Sequence, residues 1–69
     1  MDKWTIVDCA RQECARTYRA HLHASEVYER APTEENKQLR KEAALNRVKS
    51  LLVWRGALRE AVDSEAKGT

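Results

Sequence analysis

The chain has 69 residues, of which 42% are hydrophobic and 35% are charged, and its formal net charge is +2. A chain of this length forms one domain at most, and its core is marginal unless a disulfide, a metal or oligomerisation adds stability. Only two Gly and one Pro, with many Ala, Leu, Glu, Lys and Arg, predict an all-α fold. Hydrophobic residues at this level, arranged in periods, argue against intrinsic disorder.

The cysteines and the apolar segments bear on the cellular compartment. Cys9 and Cys14 are too few for a secreted disulfide scaffold, and the opening residues MDKWTIVD contain no signal-peptide hydrophobic segment. The longest apolar run, residues 51–54, is far shorter than the roughly 20 residues that cross a bilayer. We therefore expect a cytoplasmic protein with reduced thiols and no membrane partner.

The first predicted helix covers residues 3–30, with Asp2 or Thr5 near its start. Its predicted inner side carries many small and polar residues, so a partner helix could approach closely. The members of this side are Trp4, Val7, Arg11, Cys14, Tyr18, His21, Ser25 and Tyr28. Alone, this side is a weak core face.

A proline turn separates the first helix from a second predicted helix at residues 34–66. Pro32 lacks a backbone N–H and disfavours a helical conformation at Ala31, which ends the first helix. Thr33 can cap the second helix, whose first turn is acidic. Because the turn at residues 31–33 is short, the helices must form an antiparallel hairpin.

The second helix has one predicted apolar seam toward the first helix. Its members are Ala44, Val48, Leu51, Leu58 and Val62. In this register Leu51 lies opposite Cys14. Arg55 lies inside the seam and needs an anion there, so we expect a buried pair between Arg55 and Asp8 that sets the register.

Apolar residues outside that seam exceed what one partner helix can cover. Leu45 and Leu52 lie on one flank and Trp54 on the other. Burial of a large apolar side chain contributes roughly 1.5–3 kcal/mol, which is large for so small a domain. We therefore predict a homodimer in a four-helix arrangement, with Leu45, Leu52 and Val48 at the dimer interface.

Four side chains on the first helix are potential metal ligands. A zinc site needs four convergent ligands, but Cys14 and His21 point one way along the helix while Cys9 and His23 point roughly the other. Cys14 with His21 could supply half of a site that a second copy completes across a dimer interface. We favour instead that Cys14 is a small buried residue and that His21 is a histidine whose hydrogen bonds are satisfied within the fold. Nucleophilic catalysis needs a base and an orienting group beside a thiol in a pocket, and the first helix offers no such pocket. The sequence also contains no glycine-rich phosphate loop. We expect no enzyme activity, metal or cofactor.

Positive charge is concentrated in the middle of the chain. Residues 1–36 carry five Lys/Arg against seven Asp/Glu, whereas residues 37–59 carry seven against one. Such a helix can bind RNA or DNA, although a charged helix is more often a solvated face. The basic residues are distributed around the helix instead of forming one stripe. Nucleic-acid binding is therefore the second hypothesis.

Aromatic and arginine side chains dominate the energetics of many protein interfaces. The chain offers this combination on and beside its second helix. The predicted partner-binding residues are Trp54, Arg47, Arg55, Arg59, Tyr28 and Tyr18. A non-enzymatic module that covers a surface of a larger protein is the first hypothesis.

The succession of long helix, proline turn and long helix, with the basic and apolar segment ENKQLRKEAALNRVKSLLVW, resembles small phage proteins that inhibit host regulators. The outline is most similar to the anti-quorum-sensing, anti-activator type. This resemblance covers the whole chain in outline and implies a dimeric helical hairpin that blocks a host transcription activator and a pilus-assembly ATPase. The plan also resembles the small four-helix RNA-binding regulators of plasmid copy number, which is the alternative.

Overall fold

The computed structural model describes residues 2–68, and these form two α-helices, α1 (Lys3–Arg30) and α2 (Glu34–Gly68). The helices pack against each other along their length as an antiparallel hairpin, which confirms the predicted all-helical architecture. The first helix has the predicted bounds, and the second continues two residues beyond the predicted end. Within residues 2–68, neither helix is long and apolar enough to cross a membrane.

Asp2 caps the start of α1. Its carboxylate accepts hydrogen bonds from the backbone N–H of Trp4 at 2.7 Å and of Thr5 at 3.0 Å, and from the Thr5 hydroxyl at 3.1 Å. These bonds lower the pKa of the Asp2 carboxyl, and the backbone bond from Thr5 is the largest cause. The cap satisfies N–H groups that have no acceptor within the helix.

The turn between the helices has the predicted chemistry. Ala31, which precedes the proline, has φ −140° and ψ 87°, outside the helical region. The Thr33 hydroxyl accepts from the Asn36 backbone N–H at 3.1 Å, so the predicted cap is confirmed. The Asn36 side-chain amide donates to the Ala31 carbonyl at 2.8 Å and ties the turn to the start of α2.

Small residues make up most of the contact between the helices. The buried residues in the described chain are Val7, Thr17, Ser50 and Ala61, with exposed fractions of 6%, 4%, 8% and 1%. Half-buried residues continue this pattern at spacings of three and four. The resulting interhelical seam comprises Val7, Ala10, Cys14, Thr17, His21 and Ala24 on α1 and Ala43, Arg47, Ser50, Trp54, Ala57 and Ala61 on α2. No large side chain among the described residues is fully buried.

The predicted α2 seam is wrong, because α2 is rotated about its axis relative to the prediction. Val48, Leu51 and Val62 are 53%, 40% and 49% exposed. The thiol of Cys14 donates to the carbonyl of Ser50 instead of facing Leu51. Since α1 presents small residues, the two helices can lie close together, and such a contact favours small residues on α2 as well.

The predicted buried pair between Arg55 and Asp8 is wrong as well. Both residues are exposed. Within residues 2–68 the one ion pair joins Arg16 to Glu13 along α1, and the hydrogen bond from Arg16 lowers the pKa of Glu13. An Arg55–Asp8 pair therefore does not set the register of the hairpin.

Candidate protein-interaction surfaces

The hairpin exposes far more surface than a compact protein of its mass. It is a rod of 55 × 15 × 13 Å with a surface of 5518 Å². A compact monomer of 8.0 kDa exposes about 4,500 Å². The difference of about 1,000 Å² exceeds the roughly 800 Å² that each partner buries in a standard protein interface.

Large apolar side chains are concentrated on one side of the hairpin, which we call the apolar face. Trp4 and Tyr18 border the interhelical seam on this side: the Trp4 indole N–H donates to Glu65 at 2.8 Å, and Arg47 lies over the Tyr18 ring. Apart from half-buried Leu58, the exposed fractions of its members range from 40% to 53%. The apolar face comprises Trp4, Tyr18, Leu22, Val48, Leu51, Leu58 and Val62.

Sequence reasoning found the spacing of the apolar face on α2 but assigned it to the inside of the hairpin. Val48, Leu51, Leu58 and Val62 recur at spacings of three, four and seven residues, as on one side of a helix. Leu22 was missed altogether. Its separation of four residues from Tyr18 was the available signal.

Leu45 and Leu52, predicted for the dimer interface, lie farther from the interhelical seam than Val48. Their exposed fractions are 59% and 61%. Leu45 lines a shallow groove of about 340 Å³ with Val48, Lys41 and Ala44. Among the predicted dimer residues, only Val48 belongs to the apolar face.

A second groove runs along the outside of α2, and we call its lining the α2 outer groove. It has a volume of about 290 Å³ and is lined by Leu52, Arg55, Gly56 and Arg59. A Cβ atom at Gly56 would meet nothing within 4 Å, so the groove is open at this position. Of the six predicted partner-binding residues, the structure brings Arg55 and Arg59 together here.

Two other arginines pack on tyrosines within the hairpin. The guanidinium carbon of Arg47 lies 4.6 Å from the centre of the Tyr18 ring, and that of Arg40 lies 4.3 Å from the centre of the Tyr28 ring. Arg47 Nη1 is also 3.3 Å from His21 Nδ1. Because arginine has only donors, Nδ1 of His21 is the acceptor in a hydrogen bond between these two atoms. Three predicted partner-binding residues thus make contacts between α1 and α2.

Trp54 lies in the interhelical seam and is half-buried. Its indole Nε1 is buried and has no hydrogen-bond partner in the described part of the chain. The sequence predicted an exposed flank position for Trp54. The observed α2 seam consists of residues that each come one position before the residues of the predicted seam, and this shift brings Trp54 into the contact. Trp4, which sequence reasoning placed inside, is 40% exposed.

The cysteines and histidines occupy separate environments. The thiol of Cys14 lies 3.2 Å from the Ser50 carbonyl, and His21 contacts Arg47, whereas Cys9 and His23 are exposed. Between residues 2 and 68, no three His, Cys, Asp or Glu side chains come together as potential metal ligands.

The apolar face offers exposed Leu and Val side chains, and the α2 outer groove offers an exposed leucine beside arginines. Exposed Leu and Val side chains can exclude water from an interface, and exposed arginines can donate hydrogen bonds to anionic groups on a partner. No protein-family model matches the chain, and neither a curated protein nor a solved structure is similar enough to count as a match.

Proposed function

We propose that the chain is a non-enzymatic, cytoplasmic helical hairpin that acts as a homodimer by binding and blocking a regulatory protein, such as a transcription activator or an ATPase of a host cell. The observation that carries this proposal is the contrast between the buried and the exposed apolar residues. The buried ones in the described chain are Val7 and Ala61, while eleven large hydrophobic residues are exposed. A surface with this composition is suited to contacts with other chains.

Weak burial within one hairpin supports the proposed homodimer. Val7 and Ala61 provide little hydrophobic stabilisation for a chain of this length. Covering the apolar face with a second copy would bury several large side chains, each contributing roughly 1.5–3 kcal/mol when fully buried. Two hairpins packed through this face would form a four-helix bundle.

The α2 outer groove supports a second, different contact. Arg55 lies where the groove adjoins the apolar face, but Leu52 and Arg59 lie farther from the interhelical seam, so a dimer through that face leaves them accessible. Leu52 is 61% exposed, and the described residues give Arg59 no ion-pair partner. Arginine is enriched at protein interfaces, and the buried centre of an interface is apolar. A target bound there would be blocked by steric coverage.

Capture of proteins from a bacterial extract tests this proposal. The bait proteins are the wild type, Leu52→Ala and the matched control Val53→Ala, because Leu52 and Val53 are 61% and 64% exposed but point to different sides of α2. We expect a regulatory protein that the wild type and Val53→Ala retain and Leu52→Ala loses. The purified protein should then lose its activity when the wild-type hairpin is added. Equal retention by all three baits would contradict a target site at the α2 outer groove.

Nucleic-acid binding is the alternative, and one observation favours it. Lys41, Lys49, Arg55 and Arg59 are exposed on α2, and residues 2–68 provide no carboxylate that pairs with them. A regulator that binds paired RNA could use such cations on phosphates. Filter binding of RNA hairpins and duplex DNA between about 50 and 200 mM salt tests this, because phosphate contacts lose affinity steeply with salt. No retention at the lower salt concentration would rule out this alternative.

A further inference from the structure

We infer that a second copy of the chain covers the apolar face with the two-fold axis parallel to the helices, so that α1 of each copy lies against α2 of the other. The inference rests on the proposed homodimer and adds its geometry and its specific contacts. Two observations carry it. The first is the charge pattern along the two edges of the apolar face, and the second is which residues of α1 and α2 lie at the same position, or level, along the rod.

The two outer edges of the apolar face carry opposite charges. On α1 the edge has acidic residues at both ends and apolar residues between them, and on α2 the edge alternates basic and apolar residues. Each edge repeats every seven residues, which keeps it on one side of its helix. The α1 edge comprises Asp8, Ala15, Leu22 and Glu29, and the α2 edge comprises Lys41, Val48, Arg55 and Val62.

The four charged residues on these edges are available to a partner. Asp8, Glu29, Lys41 and Arg55 are all exposed. None of them takes part in an ion pair or a side-chain hydrogen bond recorded for residues 2–68. Their charges are therefore unpaired on the surface of the isolated hairpin.

Contacts within the hairpin show which residues of α1 and α2 lie at the same level along the rod. Tyr28 faces Arg40, so Glu29 lies within about one helical turn of the level of Lys41.

The same relationship holds at the other end of the rod. Trp4 faces Glu65 and Cys14 faces Ser50, which puts Asp8 within about one turn of the level of Arg55. Side chains at such levels can meet if the two edges are brought side by side.

A two-fold axis parallel to the helices preserves these levels. The α1 edge of one copy then lies beside the α2 edge of the other, running antiparallel to it. Asp8 meets Arg55 of the second copy, and Glu29 meets Lys41 of the second copy. Symmetry makes each pair occur twice, so the dimer carries four complementary charge pairs around an apolar centre.

The alternative axis, perpendicular to the helices, places each edge against the same edge of the second copy. The α2 edges, with Lys41 and Arg55, would then adjoin each other and bring like charges together. Both arrangements can bury the area of about 1,000 Å² that the isolated hairpin exposes in excess. Charge complementarity therefore selects the arrangement with α1 against α2.

Charge reversal tests this geometry. Asp8→Lys and Arg55→Glu should each raise the dimer Kd on the order of tenfold, because each change alters two exposed charge pairs per dimer. The double variant Asp8→Lys/Arg55→Glu restores opposite charges and should return Kd to near the wild-type value. Glu26→Lys and Arg19→Glu make the same changes on the polar side of α1, where both residues are exposed, and should leave Kd unchanged.

Sedimentation equilibrium across a concentration series measures these constants, and circular dichroism at the same concentrations checks that each variant remains helical. Weakening by both single changes with restoration in the double variant supports the geometry. If the single changes leave the dimer Kd unchanged, or the double variant does not restore it, the proposed geometry is wrong, although the proposal of a homodimer is retained. A wild-type monomer at micromolar concentration overturns both.

Discussion

The guanidinium of Arg47 lies over the ring of Tyr18, with 4.6 Å between its central carbon and the ring centre. The contact joins α2 to α1, and the same guanidinium reaches His21 at 3.3 Å. The described residues place no carboxylate beside this cation, so the aromatic face and the imidazole are its partners. The arginine thus contributes to the hairpin itself.

We expect Arg47→Ala to lower the free energy of unfolding by about 1–2 kcal/mol, because it removes a cation–π contact, a hydrogen bond and the packing of the side-chain stem. Arg47→Lys keeps the charge but loses the planar group, so its effect should be intermediate. Arg59→Ala, at an exposed position, is the control and should change stability by less than about 0.5 kcal/mol. Urea denaturation measures all three, and equal losses for Arg47→Ala and Arg59→Ala would count against the packing role.

Trp54→Ala should destabilise the hairpin, because Trp54 lies in the interhelical seam. Its indole is half-buried, so the expected loss is about 2–3 kcal/mol, below the cost for a fully buried tryptophan. Leu52→Ala, on the α2 outer groove, should cost less than about 0.5 kcal/mol. Thermal unfolding followed by circular dichroism compares the two. A stable Trp54→Ala variant would instead indicate that the indole is available to a partner.

Local chemistry along the chain was sufficient to predict the hairpin, whereas the face by which α2 contacts α1 was not predictable in the same way. The conformational restriction imposed by Pro32 and the cap provided by Thr33 depend on neighbouring residues alone. On α2, however, a stripe through Ser50 that is mostly small but includes Arg47 and Trp54 runs beside a stripe of large apolar residues through Leu51, and both have helical spacing. Hydrophobicity alone favours the stripe of large residues as the side of α2 that contacts α1. Which stripe makes the contact, however, depends on the distance between the two helix axes, and the side chains of both helices together determine that distance.

The same reason explains the outcome for the candidate site. The predicted set mixed residues of the interhelical seam, such as Arg47 and Trp54, with residues of the α2 outer groove, such as Arg59. Residue type alone suits both environments, since arginine and tryptophan stabilise interfaces within a chain as well as between chains. Only the rotation of α2 about its axis separates the two groups.

Gly56→Ala should stabilise the hairpin by about 0.5–1 kcal/mol, because Gly56 lies within α2 and an added methyl group meets nothing within 4 Å. Ala20→Gly, at an exposed position within α1, is the converse control and should destabilise by a similar amount. Thermal unfolding gives both values. If Gly56→Ala fails to raise stability, α2 does not have regular helical geometry at this point.

The same substitution also probes the proposed target site. A methyl group at Gly56 narrows the α2 outer groove, so it should weaken capture of a target that inserts there while the hairpin itself becomes more stable. Stability and binding would then change in opposite directions, which a general loss of folding cannot produce. Capture that is unchanged by Gly56→Ala would place the target contact away from the groove.

Stability should decrease in acid partly through the cap at Asp2. The pKa of this carboxyl is lowered from its ordinary value of 3.8 by hydrogen bonds that exist only in the folded chain. Its contribution is therefore fully present above pH 3.8 and is lost as the pH falls through the lower folded-state value. Asp2→Asn retains a capping side chain but cannot titrate, so its urea midpoint should decrease less than that of the wild type in this acid window. Glu13→Gln makes the same test at a second carboxyl whose pKa is lowered, since the hydrogen bond from Arg16 lowers the pKa of Glu13 from 4.5. Identical acid profiles for the wild type and Asp2→Asn would show that the Asp2 carboxylate does not stabilise the start of α1.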